Sequence, residues 1–151
     1  SEAPLERKGD LVAGVVPRAA SLGSILVVED NEINQVVLEM QLKKLGHHVE
    51  VASNGLEALA RWRTSRFDMV LTDCHMPVMD GYTLARSIRK EEVGNGLPRI
   101  PIVAITANVM ADEVTLCRDA GIDDVLTKPI AFAALSKVID SHVTKPVETI
   151  A

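Results

Sequence analysis

The 151-residue sequence predicts an α/β fold, a (βα)5 doubly wound domain with a five-stranded parallel sheet and helices on both faces. Three observations lead there. Short apolar runs, the length of buried parallel strands, recur between turn residues. Each is followed by a stretch with helical apolar spacing, so strand and helix alternate five times. Crossovers between parallel strands are right-handed, which places helices on both faces. At this length the flavodoxin-like strand order 2-1-3-4-5 follows, with its switch point between the first and third strands.

The alternation begins at Ser24. Ile25-Leu26-Val27-Val28 reads as the first strand and runs into Glu29-Asp30. Ile33, Val36, Val37 and Met40 then recur at i, i+3, i+4 and i+7, the stripe of an amphipathic helix capped by Asp30 or Asn31 and stopped by Gly46. The second strand lies near Val49-Glu50-Val51-Ala52. Asn54-x-x-Glu57 resembles a capping box that opens the helix of Leu56, Leu59, Ala60 and Trp62. The third strand is Phe67-Asp68-Met69-Val70-Leu71-Thr72-Asp73, before a loop marked by Pro77 and Asp80-Gly81. A helix from about Tyr82 to Lys90 leads into a polar loop, Glu91 to Arg99, containing Gly94, Gly96 and Pro98. Ile102-Val103-Ala104-Ile105 is the fourth strand, ending at Thr106. A helix with Met110, Val114 and Cys117 on one side stops at Gly121. The fifth strand, Asp124-Val125-Leu126-Thr127, ends at Lys128-Pro129, and the last helix carries Phe132, Leu135, Val138 and Ile139. Residues 1–23 mix small residues, proline and balanced charge and read as a linker, 24–143 as the domain and 144–151 as a tail.

Composition narrows the function classes. The chain is 47% hydrophobic and 25% charged with a net charge of -5, ordinary for a globular protein. Residues 24–143 carry the whole imbalance, with 12 bases against 17 acids. Acidity, with only Trp62, Phe67, Tyr82 and Phe132 for stacking, argues against nucleic-acid binding. Cys74 and Cys117 lack a Cys-x-x-Cys pattern and read as buried thiols of a reducing compartment. The longest early apolar stretch, Leu11 to Val16, is too short to span a bilayer, so no membrane contact by this segment and a cytoplasmic location are expected.

Four strand ends carry reactive groups: Glu29-Asp30, Asp73, Thr106 and Lys128. In this topology they converge on one edge of the sheet, where open α/β sheets bind their ligands. Three carboxylates in one pocket repel each other unless a cation joins them, and oxygen ligands without His or Cys favour Mg²⁺. A lysine point charge and a threonine hydroxyl suit phosphoryl oxygens, so phosphoryl transfer onto Asp73 is the chemistry the set supports. Each residue also has a plainer explanation: Asp30 as a helix cap, Thr106 as a cap of the next helix, Lys128 as a surface lysine. Their joint placement favours the site. The four histidines, His47, His48, His75 and His142, lack metal-ligand spacing, and Asp73 to Gly81 lacks the alternating carboxylates of an EF-hand.

Val27-Val28-Glu29-Asp30-Asn31, Asp73-x-x-Met76-Pro77-x-Met79-Asp80-Gly81, Ile105-Thr106-Ala107 and Lys128-Pro129 resemble the receiver domain of bacterial response regulators. Asp30, Asp73, Thr106 and Lys128 stand 43, 33 and 22 positions apart, and the resemblance covers residues 24–143. The wording of these motifs is most similar to receivers of hybrid sensor histidine kinases. The resemblance implies that Asp73 accepts phosphate from a phosphohistidine on a histidine kinase or a histidine phosphotransfer domain and passes it on. It implies a Mg²⁺ site of Glu29, Asp30 and Asp73 with the backbone carbonyl of His75, a Thr106 that shifts toward the phosphoryl group, and a Lys128 that pairs with it. It also implies a cis Lys128-Pro129 bond and an output face around Met110 to Ile139. The parent chain would be a hybrid kinase, itself allowed an inner-membrane anchor, with a stand-alone single-domain regulator as the alternative; the leading linker favours the fragment. One departure stands out. Receivers often carry Tyr or Phe three residues before the lysine, and Val125 occupies that place, so an aromatic switch cannot work here as such. An aspartate-dependent phosphohydrolase is the alternative from another class. It usually places a second Asp two residues after the nucleophile, where this chain has His75.

Overall fold

The computed structural model describes residues 23–143; the linker and tail expected at 1–22 and 144–151 lie outside them. Strands β1 (Ser24–Val28), β2 (His48–Ala52), β3 (Met69–Asp73), β4 (Ile102–Thr106) and β5 (Asp124–Thr127) form one sheet. Its order is β2-β1-β3-β4-β5 and every pairing is parallel. Helices α1 (Glu32–Lys44), α2 (Gly55–Thr64), α3 (Gly81–Asn95), α4 (Ala111–Ala120) and α5 (Phe132–His142) complete the expected alternation. Successive strand residues alternate between two cores, as the period of a strand requires. Ile25, Val27, Met69, Leu71, Val103 and Ile105 pack with Leu38, Leu42, Leu135 and Ile139 of α1 and α5. Leu26, Val28, Val70, Ile102 and Ala104 pack with Ala58, Leu59, Leu84, Ile88 and Cys117 of α2, α3 and α4.

The helix starts are those the side chains dictate. Asn31, Asn54 and Asp80 accept the backbone N–H of Asn34, Glu57 and Thr83 at 3.0, 2.9 and 2.8 Å. Glu57 reaches back to the Ser53 N–H, one residue before the usual partner of a capping box. Gly96 and Gly121 end α3 and α4 with φ of 65° and 94°, a conformation other residues adopt at a cost.

Three expectations need correction. The stripe of Ile33, Val36, Val37 and Met40 does not face the sheet: Ile33 is 72% and Met40 64% exposed, while Leu38 and Leu42 are buried. The period identified a helix correctly, but α1 is apolar on two sides. The polar stretch from Glu91 is not a loop until Gly96, because α3 continues to Asn95. Glu92 is buried there, accepting Arg89 Nη1 at 2.9 Å and the Ile100 N–H at 2.7 Å, which extends the helix despite Gly94. Met110 is the exposed N-cap of α4 rather than part of its buried side.

Candidate functional site

β1 and β3 are neighbours at the centre of the sheet, in the register Val28 to Thr72, so the residues just after them meet at the C-terminal edge. Glu29, Asp30 and Asp73 converge there, with one carboxylate oxygen from each lying within 4.8 Å of the others. Lys128, following β5, places Nζ 3.2 Å from Asp73 Oδ2 and 4.0 Å from Glu29 Oε1. The Lys128–Pro129 bond is cis. The sheet thus gathers groups 44 and 55 positions from one another in the chain onto one point.

Glu29 is the member with an unsatisfied need. It is 1% exposed, and Oε2 accepts the Asn31 N–H at 3.2 Å and Asn34 Nδ2 at 3.4 Å. Oε1 is buried without a hydrogen-bond partner among the described residues. Burial pushes its carboxyl above the ordinary range; the Asn31 N–H works against that, the Asp73 charge reinforces it, and Lys128 and Asn34 oppose it. An orphaned buried oxygen beside two further carboxylates is a donor set that a hard divalent cation satisfies. The residues present fit Mg²⁺.

The loop after β3 is held close to this cluster by small residues. A Cβ on Gly81 would stand 2.4 Å from the Asp73 carbonyl oxygen, so only glycine lets the start of α3 tuck under Asp73. Gly81 N–H donates to the Cys74 carbonyl at 3.0 Å, and Gly55 N–H at the start of α2 donates to the Met79 carbonyl at 3.0 Å. Between these anchors Val78 adopts φ of 70°, a strained backbone for a β-branched residue.

Thr106 and His75 are placed differently from the acid cluster. The Thr106 hydroxyl is buried and exchanges hydrogen bonds with the backbone of Asn108 at 3.1 Å, so in this conformation it caps the turn before α4. The His75 ring turns to Glu113, with Nε2 3.4 Å from Oε2, and stands edge-on to Tyr82 at 5.7 Å. His142 ends α5 and bonds Asp124 at 3.1 Å. Two contributors escape a reading of the sequence. Asn34 supports Glu29, and Gln35 Nε2 donates to the Glu29 carbonyl at 2.6 Å. Their only local signal is an amide pair on the first turn after the acids.

The profile of the response regulator receiver domain matches residues 25–140. The chain belongs to this family. The receiver is 38% identical over 141 residues to the peroxide stress-activated histidine kinase mak1 of Schizosaccharomyces pombe, covering 91% of this chain and 9% of that one. It is 44% identical over 123 residues to the virulence sensor protein BvgS of Bordetella pertussis, covering 80% and 10%. The chain spans about a tenth of the length of these relatives. Similar proteins come from yeast, Dictyostelium, Arabidopsis and bacteria, so the similarity is not confined to bacterial receivers.

Solved structures agree on the fold. The receiver domain of sensor histidine kinase PA1611 from Pseudomonas aeruginosa, with a magnesium ion in its active-site cleft, superposes with TM-score 0.73 at 39% identity, covering 80% of this receiver and 97% of that chain. The Ssk1 receiver domain of Saccharomyces cerevisiae, crystallised with the histidine phosphotransfer protein Ypd1, gives TM-score 0.77 at 34% identity, covering 80% and 88%. No helix among the described residues is long and apolar enough to cross a membrane.

Proposed function

We propose that this receiver takes a phosphoryl group onto Asp73 from a phosphohistidine and hands it to a histidine phosphotransfer partner, as one station of a hybrid histidine kinase relay. The observation that supports it is the acid cluster of Glu29, Asp30 and Asp73 with Lys128 Nζ 3.2 Å from Asp73. An Asp73 carboxylate oxygen attacks phosphorus, the P–N bond breaks, and the imidazole leaves with its electron pair and takes a proton from solvent. Glu29, Asp30, Asp73 and the His75 carbonyl would hold Mg²⁺, which would supply neutralising charge for the phosphoryl oxygens. Lys128 offers the second positive charge. Thr106 would release Asn108 to reach the new phosphoryl oxygen, which couples occupancy of Asp73 to the turn before α4.

Docking would use the outward face of α1. Ile33, Val37 and Met40 are exposed beside the acids. A cleft of about 410 Å³ between α1 and the Lys128–Ile130 loop is lined by Glu29, Asn34, Val37, Leu38 and Pro129. A partner helix carrying the phosphohistidine could lay an apolar stripe there. Val125 packs against the core where a switching ring would stand, so signalling by phosphate transfer is better supported than signalling by an aromatic rotation.

The test is intact-mass measurement after incubation with acetyl phosphate and Mg²⁺. One added phosphoryl group, absent without Mg²⁺ and in Asp73→Asn, is expected. An adduct that survives Asp73→Asn, or none in the wild type, overturns the reading. Turnover of a phosphomonoester without a stable adduct would favour the hydrolase instead.

A further inference from the structure

A second cluster of ligand atoms lies behind the acceptor. Cys74 directly follows Asp73, and its Sγ is 4.0 Å from Sγ of Cys117 on α4. Glu113 precedes Cys117 by one helical turn, on the same face. A Glu113 carboxylate oxygen and the two sulfurs all lie within 4.8 Å of one another. His75, next along the loop, brings Nε2 to 3.4 Å from Glu113 Oε2. Both cysteines are buried and free.

We propose that Cys74, Glu113 and Cys117 supply three ligands of a tetrahedral site for a borderline-soft divalent cation of the zinc class, with His75 beside Glu113 orienting that ligand. The spacing fits such an ion. Thiolates about 2.3 Å from a tetrahedral zinc stand roughly 3.8 Å apart, and nitrogen and oxygen ligands at about 2.0–2.1 Å stand roughly 3.4 Å apart. The sulfur pair matches the first of these edges, and a Glu113 carboxylate oxygen lies within 4.8 Å of both sulfurs. The sulfur–sulfur separation is far from the roughly 2.05 Å of a disulfide, and a disulfide would leave Glu113 and His75 without a part. Two sulfurs and one carboxylate select zinc over magnesium. The Tyr82 hydroxyl donates to Glu113 and would orient that ligand as an outer-shell partner. Bound there, the ion would tie the loop after β3 to α4 immediately behind Asp73.

The inference does not rest on phosphoryl transfer, and its test does not read it. The reduced full chain is titrated with Co²⁺ while excess Mg²⁺ occupies the acid cluster. The sequence has two cysteines, so a thiolate-to-cobalt charge-transfer absorption reports on this site alone. The expected result is one equivalent of Co²⁺ with that absorption, displaced by Zn²⁺, abolished in Cys117→Ser and shifted to about tenfold weaker binding or more in His75→Ala. Zn²⁺ should raise the Tm of the wild type and not of Cys117→Ser. His75→Ala changes an exposed side chain, so it keeps the test valid if Cys117→Ser fails to fold. No charge-transfer absorption in the wild type, or one unaltered in His75→Ala, would overturn the site.

Discussion

Glu29 shows how one residue can oppose the fold and still be fitted to its site. Its buried Oε1 has no hydrogen-bond donor among the described residues; burial disfavours the ionised form on folding and the nearby Asp73 charge adds to that. A carboxyl raised by the fold favours the folded state at low pH and disfavours it once pH passes the ordinary carboxyl range. Glu29→Gln removes that charge with little change of shape. At neutral pH without Mg²⁺ the variant should be the more stable of the two, read from urea unfolding. In Mg²⁺ the order should reverse, because the wild type gains binding free energy that the variant cannot match. A variant less stable under both conditions would show that Glu29 needs no cation. The polar strand ends were legible in the sequence because each interrupts an apolar run. The contact of His75 and Tyr82 with Glu113 was not, since those groups come from the β3–α3 loop, the first turn of α3 and α4, with Glu113 more than thirty positions from either.

Among the elements, α3 separates the two roles of glycine. Gly81→Ala would drive a Cβ into the Asp73 carbonyl and should cost about 2–3 kcal/mol, since backbone rather than a flexible side chain must yield. Gly94→Ala meets nothing within 4 Å and replaces a helical glycine, so about 0.5–1 kcal/mol of stabilisation is expected. Thermal unfolding of the pair checks both signs, and equal effects would refute the assignment. The same helix shows where local pattern fails. Gly94, Gly96 and Pro98 look like a loop, and what holds the last turn is a buried Glu92 whose partners include Ile100 beyond that loop. In α1 the failure has another cause. Apolar residues on opposite sides give a clear helical period but leave the buried side undecided until Leu38 and Leu42 join Leu135 in the core on one face of the sheet.

For the molecule as a whole, the acid cluster and a network of fastening ion pairs occupy opposite rims of the sheet. At the rim away from Asp73, Asp123 accepts the Ile102 N–H at 2.9 Å, Arg89 at 2.8 Å and Arg99 at 2.7 Å, joining α3, β4 and the turn before β5. Burial alone would raise the Asp123 carboxyl, but Arg99, the Ile102 N–H and Arg89 outweigh it and hold it below its ordinary value of 3.8. A depressed carboxyl stabilises the fold above that value and loses its contribution as pH falls through the lower, folded pKa. Asp123→Asn should therefore cost about 1–2 kcal/mol at neutral pH, with the gap to wild type closing below about pH 4. A constant gap across a pH series of urea unfolding curves would mean that the charge contributes nothing. The outward stripe of α1 carries one more consequence. Because Ile33 and Met40 bury little within the domain, substitutions there are nearly silent in a melting curve. Folding constrains Leu38 and Leu42, whereas the docking proposed for the other side of the same helix would constrain Ile33 and Met40, so a change on one side leaves the demand on the other untouched.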